Sequence, residues 1–165
     1  MDITAIFLSI AQVWGYPGLF FINIAGSASI FLPLPGFVAV FFMGSILNPW
    51  LVGIVSGIGA AIGELAGYWV GRGSRKVINA RGRKEHAEWL DKGRKWIEKY
   101  KAFPIIVLFA ATPLPDDVLG ILLGAMEYDM KKFLVAMLVG KTVMCMALAF
   151  GGFYGAQWVL SIFGG

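Results

Sequence analysis

Four ionisable side chains lie inside apolar stretches of the sequence: Glu64, Asp116, Asp117 and Lys141. A charge near the centre of a bilayer costs about 2.5–3.5 kcal/mol on insertion scales, so such groups face partners or a water-filled cavity. Glu64 stands eight residues before Arg72, and Lys141 nine after Lys132. At 1.5 Å per residue they lie about 12 and 14 Å in from the basic ends of their segments. Those depths suit a buried ion pair, with two readings open: a pair that stabilises the fold, or a switchable pair in a substrate or proton path. Asp116 and Asp117 begin a half-helix, where one aspartate caps backbone N–H groups and meets the positive dipole end. The other then sits beside a like charge, which favours uptake of a proton or a cation. The aspartate pair is the leading candidate for coupling.

These groups must be held by broken helices. Pro33-Leu34-Pro35 and Pro113-Leu114-Pro115 repeat one tripeptide, and each second proline is followed nine residues later by glycine, Gly44 and Gly124. Proline fixes φ, donates no hydrogen bond and pushes the preceding residue out of helical geometry. Pro33, Pro35, Gly36, Pro113 and Pro115 are therefore read as hairpin breaks. Irregular backbone at membrane depth is tolerated only where protein or a wet cavity covers it. Such breaks in both halves of a membrane protein point to a site between repeats. Gly36 and Phe37 occupy the positions of Asp116 and Asp117 in the first copy, so an acidic site on one side only is expected.

The chain has 165 residues, 58% hydrophobic and 15% charged. Soluble domains are nearer 45–50% apolar and about 25% charged, which makes this an integral membrane protein. No signal peptide is expected, because Met1-Asp2 supplies no basic leader. Of the 14 lysines and arginines, 11 lie between Arg72 and Lys101. The positive-inside rule makes segment 72–101 cytoplasmic in a multi-pass cell-membrane protein. Arg72, Arg75 and Lys76 are candidate contacts for anionic lipid headgroups, the plainer reading being a stop signal. Nucleic acid is not an expected partner of so short a basic run. Cys145 is read as a small packed hydrophobe and His86 as an exposed helix residue. With one cysteine and one histidine, no protein-built metal site and no cofactor are expected. No nucleophile–base–orienter set can be assembled, so an enzyme is the least favoured class.

The fold expected is all-α: an inverted repeat of a re-entrant broken-helix hairpin plus a transmembrane helix, with amphipathic interfacial helices, in a single membrane domain over 1–165. An interfacial helix over 3–14 ends at Trp14-Gly15-Tyr16-Pro17. Repeat one covers 18–71, with hairpin arms over 18–31 and 37–46 and a span over 50–71. An amphipathic linker follows over 72–101, its Trp89, Gly93, Trp96, Ile97 and Tyr100 on one face. Repeat two covers 102–155, with arms over 102–112 and 116–126 and a span over 133–150. A short C-terminal helix carries Trp158. Gly53, Gly57, Gly59, Gly63, Gly67 and Gly71 let another helix approach closely, and a homo-oligomer through this span is one possible use.

Pro33-Leu34-Pro35-Gly36 with Gly44, then Gly63-Glu64-x-x-Gly67-Tyr68-x-x-Gly71-Arg72, resembles the DedA family, also called the VTT or SNARE-associated membrane protein family. Pro113-Leu114-Pro115-Asp116-Asp117, Gly124 and Gly140-Lys141 continue the likeness, over about 18–155, to a small archaeal- or bacterial-type member. The resemblance implies a polytopic lipid transporter with two opposed hairpins, linked to flipping or scrambling of lipid headgroups. Better-known bacterial members carry an acid where Phe37 stands, and arginines where Ala110, Ala111 and Asp116 fall, so polyprenyl-phosphate specificity is not carried over. Three functions remain: a lipid flippase or scramblase, a proton- or cation-coupled transporter of a small solute, and a non-catalytic membrane scaffold.

Overall fold

A computed structural model of the chain describes residues 3–29, 34–81, 84–99, 102–112 and 116–163. Among them run α1 (Ile3–Ala28), α2 (Leu34–Ile46), α3 (Pro49–Gly63), α4 (Leu65–Ala80), α5 (Lys84–Lys99), α6 (Ala102–Ala110), α7 (Asp116–Ala125) and α8 (Met130–Phe163), with no strand among the described residues. Pro35 and Gly36 fall in the first turn of α2. Pro33, Pro113, Pro115 and Tyr100, with the side chains of His86, Trp96 and Ile97, lie outside what is described.

Two stretches are long and apolar enough to cross a bilayer: Pro49–Ala80, 32 residues formed by α3 and α4, and Met130–Trp158, 29 residues within α8. Each exceeds the roughly 20 residues that a crossing needs. Ile54, Ile58 and Ile62 on α3, and Val135, Val139 and Val143 on α8, recur every four residues and all face outward. Apolar stripes of this kind suit contact with lipid.

The helices are longer and fewer at the ends than the punctuation of the sequence suggests. The expected interfacial helix over 3–14 and hairpin arm over 18–31 are one helix, α1, with Pro17 inside it. Two contacts lie just before the proline: Gly15 abuts the Leu47 side chain, and the Tyr16 hydroxyl accepts a hydrogen bond from the Asn48 N–H at 3.3 Å. Tertiary contacts of this sort let membrane helices continue through proline. The span expected over 50–71 runs on to Ala80. Glu64 interrupts it only locally: it keeps helical dihedrals (φ −60°, ψ −21°), its N–H reaches the Ala60 carbonyl at 3.1 Å, and its own carbonyl accepts from Tyr68 at 3.2 Å. Arginine and lysine are good helix formers, so the basic residues at 72–76 do not end it. The separate C-terminal helix is likewise part of α8, which passes unbroken through Gly151-Gly152.

Close glycine contacts set how the pieces cross. A Cβ on Gly44 of α2 would collide with the backbone of Ala149 in α8, and one on Gly152 of α8 with the backbone of Phe41 in α2. The same reciprocal pair joins α7 and α4: Gly124 lies against the Tyr68 backbone and Gly71 against that of Ile121. The first arms are seated differently. Gly63 of α3 abuts the Ile24 carbonyl and Ser27 of α1, and Gly140 of α8 abuts Val107 and Ala110 of α6. The glycines of α3 and α4 are thus largely taken up within the chain.

Two apolar clusters fill the interior. One joins Ala61, Tyr68, Ile106, Ala110, Leu123, Phe133 and Met137, and the other Leu19, Val40, Leu47, Val52, Cys145 and Ala149. Cys145 is buried there as a small hydrophobe. On α8 the position of Lys141 falls between Met137 of one cluster and Cys145 of the other.

Candidate functional site

Lys141 is the centre of the buried polar site. Its Nζ lies 2.8 Å from Glu64 Oε1 and 2.6 Å from Asp116 Oδ2, with all three side chains nearly inaccessible. Asp117 is half-buried alongside, and one oxygen from each of the three carboxylates lies within 4.8 Å of the others. Gly63 seats Glu64 against α1, Gly140 seats Lys141 against α6, and Asp116 starts α7. The four residues singled out from the sequence therefore come from three elements to one place.

The start of α2 reaches the same place. Lys141 Nζ stands 5.9 Å from the centre of the Phe37 ring, a distance at which an ammonium is attracted to an aromatic face. Alongside the acids of α7, α2 contributes an aromatic face to the lysine. Phe37 and Asp117 are both 80 residues apart and second after their Pro-Leu-Pro, and that spacing was the available signal. Beside it, Gly36 lies close to Asn23, whose buried amide donates to the Leu19 carbonyl at 2.7 Å.

The charge balance of the site is uneven. Three carboxylates surround one ammonium, so with every group ionised the described residues of the site carry two more negative charges than positive. Glu64 Oε2, though buried, has no hydrogen-bond partner among the described residues. Unpaired charge at low dielectric is costly. The arrangement can take up protons or exchange Lys141 between carboxylates; the carboxylate spacing alone also suits a small cation, with the Lys141 ammonium already held by two of the three.

The candidate headgroup contacts divide. Arg75 is turned inward, its Nη2 2.7 Å from Asp91 of α5, so it fastens α5 to α4 and is not offered to a headgroup. Leu90 of α5 helps by packing with Ala125 and Met126, while Trp89 on the expected apolar face is 61% exposed. Lys76 is exposed. Arg72 is half-buried and held by Tyr68, whose hydroxyl accepts from Arg72 Nη1 at 3.1 Å and donates to the Tyr128 carbonyl at 2.5 Å. Tyr68 is fully buried and stacked on Phe133 at 5.2 Å.

Residues 34–154 match the family model of the VTT domain. The chain belongs to the VTT-domain, or DedA, family. It is a membrane protein of the DedA type. Comparison with curated proteins and with solved structures gave no match. Within this VTT domain the Gly63-to-Arg72 motif has a physical reading. Gly63 and Gly71 admit neighbouring backbones, Glu64 meets the lysine, Tyr68 braces the α7–α8 connection, and Arg72 is delivered at the basic end. The role of Tyr68 depends on a backbone carbonyl 60 residues away, which no local spacing reveals.

Proposed function

We propose that this protein moves lipids between membrane leaflets as a flippase or scramblase of the DedA type. The observation that carries this reading is the meeting of both hairpins at Lys141, deep within apolar spans: Phe37 from one, Asp116 from the other. A headgroup would cross along this polar seam while its acyl chains stay against the outward apolar stripes. Glu64, Lys141, Asp116 and Asp117 would gate the passage by exchanging charge partners. The reciprocal crossings of α2 with α8 and of α7 with α4 support two inverted repeats, each a re-entrant hairpin plus a span, within one multi-pass domain. The positive-inside rule favours a cytoplasmic location for segment 72–101, and its charge favours anionic headgroups. Any association of copies would use faces other than the occupied glycine surface.

Reconstitution tests this. Full-length protein in liposomes carrying a headgroup-labelled lipid is expected to expose inner-leaflet label to a membrane-impermeant quencher. Exposure no greater than in empty vesicles, with or without a pH gradient, rejects lipid movement. The surplus of carboxylates favours one second reading, proton- or cation-coupled transport of a small solute. Solute uptake driven by a gradient, without lipid movement, would select it; neither activity would leave the scaffold.

A further inference from the structure

A second polar site lies at the basic end of the molecule, separate from the Lys141 cluster. It is a cavity of about 610 Å³ whose lining includes Arg72, Arg94, Glu127, Tyr128, Asp129 and Lys132. That volume falls in the range of small-ligand sites. Among the described residues its three cations come from three elements, α4, α5 and α8. Arg72 is steered by the Tyr68 hydroxyl. Arg94 is carried in on α5, which Asp91 and Leu90, a turn earlier, fasten to the body. Lys132 stands in the first turn of α8.

The connection between α7 and α8 is shaped to the cavity. Glu127 takes a left-handed backbone, φ 55°, a position usually given to glycine because a side chain there is disfavoured. Its N–H bonds the Gly124 carbonyl and that of Tyr128 the Leu123 carbonyl, both at 3.0 Å. Asp129 is engaged as the cap of α8, its Oδ1 accepting the Lys132 N–H at 2.9 Å. Among the described lining residues three cations stand beside two carboxylates, a small positive excess that suits a singly charged group better than a polyanion.

The geometry points to a phosphate-binding pocket, taking a singly charged phosphate ester through Arg72, Arg94 and Lys132. Guanidinium groups hold phosphate oxygens in paired, charge-assisted hydrogen bonds, and a lysine adds a point charge. The ligand could be the phosphate of a lipid headgroup or a free phosphate ester, since both present the same oxygens. The pocket does not depend on lipid movement, and a protein that moves no lipid but binds phosphate would leave it standing.

The test uses delipidated full-length protein in a neutral detergent. Binding is read by calorimetry with dimethyl phosphate as the soluble probe and dihexanoyl phosphatidylglycerol as the lipid probe, against chloride at equal ionic strength. Saturable binding of at least one probe is expected, weakened about tenfold or more by Arg72→Gln and by Lys132→Gln. Lys132 is exposed, so its variant remains informative if Arg72→Gln fails to fold. Lys92→Gln, exposed on α5 and outside the cavity lining, is expected to bind as the wild type does. Binding of dimethyl phosphate supports the pocket and a free ester as ligand; binding of the lipid alone supports the pocket and a headgroup. No saturable binding of either probe overturns the proposal, as does unchanged affinity in both the Arg72 and Lys132 variants.

Discussion

The α1–α2 and α6–α7 helix pairs use one set of seats and carry different residues where their second helices begin. In each, a glycine of the second arm meets the backbone of a spanning helix from the other half, Gly44 on α8 and Gly124 on α4. Each is followed by a capped helix start, Asn48 before α3 and Asp129 before α8. The arms themselves differ: α1 touches α2 and packs mainly on α3, whereas α6 and α7 scarcely touch. The tips differ most, with Gly36 and Phe37 against Asp116 and Asp117. Position is therefore set by glycines common to both hairpins, and chemistry by the two residues after the proline break.

The largest expected effect comes from removing the charge on which both tips converge. Lys141→Met strands buried carboxylates, so a loss of about 3–5 kcal/mol is expected in unfolding measured in detergent. Adding Asp116→Asn should recover part of it; a Lys141→Met protein as stable as the wild type would refute a structural role for the pair. Next come the seats. Gly44→Ala and Gly124→Ala each push a methyl group into backbone, with an expected cost of about 1–3 kcal/mol. Similar costs would support equivalent seats, and a large effect at only one would break the comparison.

The tips should then separate stability from function. Phe37→Leu removes the ring beneath the ammonium and is expected to cost about 0.5–2 kcal/mol in the same unfolding measurement. Asp117→Asn should leave stability nearly unchanged but abolish dependence of liposome transport on a pH gradient. Transport that still follows the gradient would reduce Asp117 to a helix-start residue.

The smallest contrast lies in the caps. Asn48→Ala should cost about 1 kcal/mol, equally at every pH. Asp129 behaves differently because the Lys132 backbone N–H, foremost, holds its carboxyl below the usual range. A lowered folded-state pKa contributes stability that is full above the ordinary carboxylate range and lost as pH falls through the lowered value. The difference between wild type and Asp129→Ala should therefore shrink on acidification, while that for Asn48→Ala stays level. Thermal unfolding from neutral pH down through the carboxylate range checks both.

Much of this arrangement was legible in the sequence. Glu64 and Lys141 were matched by depth, because a helix converts residue number into distance, and the proline motifs located the second hairpin's arms to within two residues. Helix ends were less legible. Pro17, Arg72 and Gly151-Gly152 look like stops, yet tertiary contacts or good helix propensity carry the chain through all three. Phe37 is legible as the counterpart of Asp117, but its meeting with Lys141 depends on how α2 crosses α8. Tyr68 and the cavity beside Arg72 join residues from distant parts of the chain, which periodicity cannot register.

The reciprocal crossings also bear on how the chain is made. During synthesis the first half emerges with the glycine face of α2 awaiting α8, which is made after the other described helices. The second half, made alone, would lack α4 under α7. Neither half is closed without the other, so the two are expected to become protease-resistant together, late, as a single event.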